Sequence, residues 1–341
     1  MKFSKRHLAA LLIMLLAVYF LVSYRLPYYI YRPGTADALE PIVKVEDGFK
    51  SKGSLHMVTV SGGQATPIAY ALAKFMPHEE VLPISDIRPK GMSDDEYMQA
   101  QLGMMESSQQ AATVVAYQAA KRDIDISYNG VYVIAVKNDA PASGKLQTGD
   151  RIVAVDDQKI SKSEDLMAYI KKKQPQDEVN VHFIRKKTEK NAVIRLQALK
   201  ELEGKPGLGI QLTTDRNVKV DPKVHFSSGD VGGPSAGLMF SLSIYDQLTK
   251  DDLTKGYSIA GTGAIDYDGN VNPIGGIDKK VIAADKEGCE VFFAPNENGG
   301  KDSNYQVAKA TADEIGTDMK IVPVDSFSDA LQYLTGLKPK Q

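Results

Sequence analysis

The sequence predicts an α/β (α+β) fold that carries one apolar N-terminal helix and a β-rich middle segment. Residues 8–22 form an uncharged apolar run whose length lies between the core of a signal peptide and a full membrane span. Strand and helix patterns alternate before residue 125 and return after residue 199, whereas strands outnumber helices between these positions. The chain has 341 residues, which is enough for two soluble domains.

The composition is that of a folded protein without a dominant charge. Hydrophobic residues make up 43% and charged residues 25% of the chain, which excludes a disordered, collagen-like or coiled-coil protein. The net charge of −2 gives no global field that would attract nucleic acid, and no nucleic-acid partner is predicted. Local basic clusters at residues 171–173 and 185–187 are interpreted as solvated faces.

Cysteine usage limits the chemistry that the chain can carry. Cys289 is the single cysteine and cannot form an internal disulfide, a redox pair or a cysteine-rich metal site. A catalytic Cys289 would need an activating histidine, and none of the five histidines stands in a recognisable partner context. We therefore predict a buried thiol at Cys289, and we expect neither a metal nor another cofactor.

The N-terminal run predicts an uncleaved signal anchor over residues 8–24, in contact with membrane lipid. No small-x-small cleavage site follows it, although a cleaved signal peptide and a buried core helix remain alternatives. Lys2, Lys5 and Arg6 precede the run, so residues 1–7 are expected in the cytoplasm. The residues after the anchor are expected outside the cell membrane. Tyrosines typical of a membrane interface cluster at the outer end: Tyr19, Tyr24, Tyr28, Tyr29 and Tyr31.

The segment after the anchor predicts mixed secondary structure. Residues 54–60 and 80–84 are expected to be strands, with a helix over residues 68–75 between them. Residues 93–122 predict one or two helices with a core stripe near helical spacing: Met98, Leu102, Met105, Ala112, Val115 and Ala119.

The middle segment, residues 125–199, predicts strands over residues 131–136, 151–155, 179–185 and 192–196, with a helix over residues 164–171. The sequences Tyr-Asn-Gly-Val-Tyr-Val at 128–133, Ala-Pro-Ala at 140–142 and Leu-Gln-Thr-Gly-Asp-Arg-Ile-Val-Ala-Val at 146–155 resemble the PDZ pattern of bacterial proteases. The resemblance implies that a peptide pairs with the strand starting at Val131 and that the amides near Asn129, Gly130 and Val131 receive its carboxylate. The usual Gly-Leu-Gly-Phe loop was not found in this segment, and a closed groove used only for packing is the alternative.

The chemistry is expected after residue 204, around Gly-Asp-Val-Gly-Gly-Pro-Ser-Ala-Gly at 229–237. Pro234 suits the start of a helix, so we expect a helix to begin at Ser235 and to present its hydroxyl at the helix N-terminus. The dipole and unpaired amides of such a terminus favour a developing oxyanion. Alone, this pattern is equally typical of a serine that only caps a helix.

Two further motifs follow in order, Ala-Gly-Thr-Gly-Ala-Ile at 260–265 and Asn-Pro-Ile-Gly-Gly-Ile-Asp-Lys-Lys at 272–280. Together the three motifs resemble the proteolytic domain of Lon. The resemblance implies that Ser235 is the nucleophile, Lys280 the base and Thr262 the residue that orients the lysine, with Lys279 as the nearest rival base. A lysine can act in this way when burial lowers its pKa, and serine–lysine pairs are a known variant of the catalytic triad.

One position departs from the pattern, because Lon usually has Asp where this chain has Gly232. Either Asp230 replaces that carboxylate or the carboxylate is dispensable. The sequence also contains no Gly-x-x-x-x-Gly-Lys-Ser/Thr phosphate loop, so ATP is not expected as fuel.

The combination of anchor, PDZ-like segment and Lon-like motifs resembles the membrane-anchored SepM/YlbL family. It implies a Lon-like domain whose first part is residues 36–124, an inserted PDZ domain at 125–203, and the rest of the proteolytic domain at 204–341. The implied function is ATP-independent cleavage of exported peptides or of extracytoplasmic and membrane proteins through a serine–lysine dyad, with PDZ-assisted selection. Lon rings suggest a homo-oligomer by analogy. The alternatives are a membrane-tethered PDZ adaptor with an inert protease domain and an envelope scaffold.

Overall fold

The structure is a computed structural model that describes residues 5–88 and 92–340. Residues 1–4, within the predicted cytoplasmic segment, lie outside the described residues. The chain forms two compact units, the first from Met1–Asp123 and Asp221–Gln341 and the second from Ile124–Val220. The second unit is therefore an insertion in the chain of the first.

The first unit begins with an apolar helix and continues with three further helices and four strands. These elements are α1 (Lys5–Ser23), β1 (Tyr28–Ala38), β2 (Val43–Val45), β3 (Ser54–Gln64), α2 (Pro67–Ala73), β4 (Glu80–Pro83), α3 (Ile84–Ile87) and α4 (Asp94–Ala119). α1 has 19 residues, which makes it about 28 Å long and comparable to the hydrocarbon core of a bilayer. Its length and composition suit a membrane span, but a signal sequence has the same properties.

The second unit contains eight strands and one α-helix. They are β5 (Ile124–Val136), β6 (Arg151–Val155), β7 (Gln158–Lys159), α5 (Ser163–Lys171), β8 (Glu178–Arg185), β9 (Thr188–Arg195), β10 (Gln197–Leu199), β11 (Lys205–Gly207) and β12 (Ile210–Val220), with a 3-10 turn at Lys200–Leu202.

The chain then returns to the first unit, whose described residues up to 340 add six strands and four further helices. They are β13 (Val224–Phe226), α6 (Gly237–Leu248), β14 (Ser258–Gly261), β15 (Ala264–Ile265), β16 (Val271–Asn272), α7 (Ile277–Lys286), β17 (Val291–Pro295), α8 (Asn304–Ile315), β18 (Lys320–Val324) and α9 (Phe327–Thr335), with a 3-10 turn at Glu297–Gly299.

A six-stranded sheet in the order β18-β17-β14-β3-β1-β4 organises the first unit. β3 pairs in parallel with β14, so the predicted early strand is part of the same sheet as the strands that follow the second unit. Alternate residues of β17 point to opposite faces: Phe292 packs with α7 and α8, whereas the ring of Phe293 contacts Tyr333 of α9. Helices thus cover both faces, and the loops at the strand ends are free to carry the site.

β1 was not predicted, because Pro33 and Gly34 interrupt its pattern. The strand accommodates them at an irregularity between Pro33 and Ala36 in its pairing with β3. Tyr28, Tyr29 and Tyr31, which were predicted at a membrane interface, are part of this strand and half-buried.

α4 is one helix of 26 residues, and it begins with a capping box formed by Ser93 and Glu96. The predicted core stripe is confirmed in part: Met105, Ala112 and Val115 are buried, whereas Met98 is 45% exposed. The strongly buried stretch of α4 comes later, around Ala112 and Ala116.

The sheet of the second unit runs β12-β5-β6-β8-β9, with β7 attached to β6. Its core contains Val131, Ile152 and Phe183 from the sheet and Leu166 of α5. The unit extends past the predicted boundary at residue 203, because β12 pairs with β5 along its whole length.

Candidate active site

Ser235 lies in the turn between β13 and α6. The helix begins at Gly237 rather than at Ser235, and its N-cap residue, Ala236, makes no side-chain capping bond. The carbonyl of Ser235 accepts hydrogen bonds from the Gly263 amide at 2.9 Å and from the Thr262 hydroxyl at 3.0 Å. The serine is therefore held by its backbone, and its hydroxyl is not used to cap the helix.

Lys280 reaches the serine from the first turn of α7. Gly276 begins this helix with φ of 68°, a left-handed conformation that suits glycine. The lysine is 3% exposed, and its Nζ donates to Ser235 Oγ at 2.7 Å. Burial lowers the pKa of Lys280 from its usual 10.5 to about 7, because the charged form loses its hydration. A large fraction of the amine is therefore neutral near pH 7.

Thr262 directly follows β14 and is fully buried. Its Oγ1 accepts a hydrogen bond from Lys280 Nζ at 3.0 Å while its own proton is given to the Ser235 carbonyl. With that proton committed, the hydroxyl can only accept from the lysine. The structure thus brings together the three residues predicted from separate motifs. Ser235 and Lys280 are 45 residues apart in the chain.

Lys279, the rival base, points to carboxylates. Its Nζ contacts Glu80 Oε2 at 2.8 Å and Asp278 Oδ2 at 2.9 Å. Burial lowers the pKa of Lys279, but these two hydrogen bonds outweigh that effect and raise the pKa above its usual value. Among residues 5–88 and 92–340, no carboxylate forms an ion pair with Lys280.

Helix α4 packs against the loop that carries Ser235. The Gly233 amide donates to the Gln101 carbonyl at 2.8 Å, and Ser108 Oγ donates to the Pro234 carbonyl at 2.9 Å. A Cβ at Gly232 would lie 2.6 Å from Gln101 Cβ, so a side chain there would displace the helix. Gly232 therefore lies against α4, and Asp230, the predicted replacement for the aspartate usual in Lon, is exposed.

The residues predicted to receive a peptide carboxylate lie in an interior strand. Asn129, Gly130 and Val131 belong to β5, which is flanked by β12 and β6. Gly130 donates its amide to the Ser161 carbonyl at 3.1 Å, and Val131 pairs with residues of both neighbouring strands. A peptide strand has no room beside Val131, so the predicted edge is corrected.

β12 ends the sheet instead, and no strand of the described chain pairs with its outer side. The sequence Gly-Leu-Gly-Ile at 207–210 leads into β12, and it is similar to the Gly-Leu-Gly-Phe loop of PDZ domains. Gly209 has φ of 71°, and a Cβ there would lie 2.3 Å from Ala140 Cβ. The motif was missed because the segment was expected to end at residue 203.

Helix α5 faces β12 near the middle of the strand. The Ser163 amide donates to Thr214 Oγ1, and that hydroxyl donates to Ser163 Oγ, both at 3.0 Å. An edge strand beside a helix is the arrangement in which PDZ domains accept an added peptide strand.

Two separate segments of the chain match known protein families. Residues 102–196 match the family model of the PDZ domain, and residues 207–336 match that of the Lon protease (S16) C-terminal proteolytic domain. The Lon protease of Campylobacter jejuni subsp. jejuni is 35% identical over 130 residues, covering 35% of this chain and 16% of that protein. For the Lon protease of Campylobacter concisus the identity is 37% over 116 residues, covering 33% and 14%.

Among solved structures, the PDZ domain of an SdrC-like protein from Listeria monocytogenes is 35% identical; the match covers 26% of this chain and 92% of that domain, with a TM-score of 0.24. The chain spans about one seventh of the length of the curated Lon relatives that it matches. Residues 102–196 are therefore similar to PDZ domains, and residues 207–336 are similar to the C-terminal proteolytic domain of the Lon protease (S16) family.

Proposed function

We propose that this protein is a serine endopeptidase in which Ser235 is the nucleophile and Lys280 the general base. The observation that carries the proposal is the buried Lys280 Nζ, 2.7 Å from Ser235 Oγ. A lysine without a carboxylate partner in a dry site favours the neutral amine that proton abstraction requires.

In the first step, neutral Lys280 takes the proton of Ser235 as Oγ attacks the carbonyl carbon of the scissile peptide bond. Thr262 accepts one N–H of the amine, and in the neutral amine the short hydrogen bond to Ser235 reverses, so that the serine hydroxyl donates to the lone pair of Nζ. The N-terminus of α6 favours the negative charge that develops on the carbonyl oxygen.

The lysine ammonium then gives its proton to the leaving amine nitrogen, and the C–N bond breaks to leave an acyl-enzyme. Water attacks the acyl carbon in the second half, with Lys280 again as base. The ester bond to Ser235 breaks, and the proton returns to the serine oxygen.

Peptide selection is assigned to the second unit, with the site moved from β5 to β12. A peptide would add as a strand to the outer edge of β12, next to α5, and its carboxylate would meet the amides of residues 207–210. Backbone hydrogen bonds would give affinity, and side-chain pockets would give selectivity.

The proposed cellular setting follows from α1 and from the resemblance to the SepM/YlbL family. α1 acts as a signal anchor in the cell membrane, in contact with lipid, and the two units lie outside. Because the sequence has no phosphate-loop motif, cleavage proceeds without ATP and is directed at exported peptides, flexible termini and exposed loops of extracytoplasmic or membrane proteins. Homo-oligomerisation stays a prediction by analogy with Lon.

The test uses the full chain in nanodiscs with a library of exported peptides and no ATP, read by mass spectrometry. Wild type and Lys279→Ala should produce the same fragments, whereas Ser235→Ala and Lys280→Ala should produce none. Cleavage that persists in Ser235→Ala would exclude the mechanism. Peptide binding without cleavage by the wild type would favour the PDZ adaptor.

A further inference from the structure

A stripe of exposed apolar side chains follows α2 and the turn after it. The spacing of i, i+4, i+7 and i+8 places them along one side. They are Ile68, Leu72, Phe75 and Met76, with exposed fractions of 45%, 58%, 86% and 54%. The opposite side of α2 is already used, because Ala69, Tyr70 and Ala73 pack in a small cluster with Ile30.

This concentration is unusual for the first unit. Beyond α1 and the adjoining Tyr24, the described residues of this unit expose other large apolar side chains only singly: Phe49, Met98, Met104 and Val307. Single exposed apolar residues are ordinary, whereas a contiguous set marks an interaction surface.

The stripe is fixed beside the end of α1. The Leu26 amide donates to the Ala65 carbonyl at 2.8 Å, and Gln64 Nε2 donates to the Leu26 carbonyl at 3.0 Å. Arg25 donates to the Gln64 carbonyl at 3.1 Å. These three bonds tie the residues that follow α1 to the residues that precede α2, and the two helices contact each other.

We propose that the stripe formed by Ile68 and Leu72 of α2 and by Phe75 and Met76 of the turn after it inserts into the lipid interface next to α1. The occupant is a phospholipid bilayer, because the stripe continues the apolar surface of α1, none of whose residues is buried. Lys74, whose Nζ lies 4.7 Å from the centre of the Tyr70 ring, supplies a cation at headgroup level.

The inference rests on the proposed membrane anchoring, and it adds a second point of contact. A single span leaves the attached unit free to rotate about a flexible connection, whereas a span with an adjoining interfacial face fixes its orientation. The first unit would thus lie against the outer membrane surface, where peptides emerging from the bilayer would be its substrates.

The test places an environment-sensitive fluorophore on single cysteines in the full chain, reconstituted in phosphatidylcholine–phosphatidylglycerol vesicles with nitroxide-labelled phospholipid. The variants are Leu72→Cys in the stripe, Val18→Cys in α1 and Val307→Cys as an equally apolar, exposed control in the same unit. Wild type checks for labelling of Cys289, which is buried. We expect about twofold lipid quenching at positions 72 and 18, and none at 307.

Quenching at position 18 but not at 72 would overturn the inference and leave the anchor intact. Quenching at neither position would remove the anchoring proposal itself. Blue-shifted emission at 72 without lipid quenching would mean that protein, such as a second copy, covers the stripe, and would also overturn the inference.

A second variant tests the side chains themselves. Adding Ile68→Ser and Phe75→Ser to Leu72→Cys should abolish quenching at 72, while a Val18→Cys protein with the same two changes stays quenched and cleaves free peptides at the wild-type rate. Undiminished quenching at 72 would show that these side chains do not hold the contact.

Discussion

Two adjacent lysines at the start of α7 lie in opposite surroundings. Both are 3% exposed, yet Lys279 contacts two carboxylates and Lys280 contacts two hydroxyls. Carboxylates keep a buried ammonium charged, whereas hydroxyls do not replace the hydration that it loses. The comparison teaches that burial yields a candidate base only where no carboxylate offsets the lost hydration.

The largest expected contrast comes from replacing each lysine by methionine. Lys280→Met removes the proposed base and should lower kcat/KM by about 10³-fold or more. Lys279→Met should keep kcat/KM within about threefold, since its partners do not touch Ser235. Steady-state cleavage of one identified peptide measures both, and equal losses would contradict the division of roles.

Thr262 should matter next, because it orients the Lys280 amine. Thr262→Val removes the hydroxyl but keeps a branched side chain, and kcat should fall by about 10- to 100-fold with little change in KM. The Gly263 amide still holds the Ser235 carbonyl in this variant. Thr262→Ser should recover most of the activity, and wild-type kcat in the valine variant would contradict the orienting role.

The lowered pKa of Lys280 also predicts a pH dependence of stability. The unfolded chain binds a proton at Lys280 between pH 7 and about 10.5 that the folded chain does not, so the free energy of unfolding should rise with pH across this window. Lys280→Met should remove that slope and be more stable at pH 7 by a few kcal/mol. Urea unfolding at several pH values measures this, and an unchanged slope would contradict the lowered pKa.

The smallest effect is expected at Glu80. Glu80→Gln leaves Lys279 paired with Asp278, and Glu80 is half-exposed, so the loss of stability should stay below about 1 kcal/mol. Cleavage should not change. A loss of activity comparable to that of Thr262→Val would mean that the two lysine environments are coupled.

The sequence predicted the spatial cluster of Ser235, Thr262 and Lys280 better than it predicted the outer strand of the second sheet. Ser235, Thr262 and Lys280 each stand in a short glycine-rich motif, and the order of the three motifs resembles Lon, so the resemblance implied the cluster without knowledge of the fold. The edge formed by β12 depends on pairing between residues 124–136 and 210–220, which are far apart in the chain. Local patterns do not reveal such pairing, and the site was assigned to Val131.

Two local details could not be predicted from the sequence. The start of α6 at Gly237 depends on backbone bonds from Thr262 and Gly263 to Ser235. The packing of α4 against Gly232 depends on a helix more than a hundred residues earlier.

The most direct test is the titration of the two lysines in the full chain, using ¹³Cε-labelled lysine and NMR, with Lys279→Arg and Lys280→Arg to assign the signals. We predict that the pKa of Lys280 is about 7 and that the pKa of Lys279 is above its usual 10.5. A Lys280 signal that titrates near 10.5 would mean a protonated amine at neutral pH, which cannot take the proton of Ser235, and would contradict the proposed dyad.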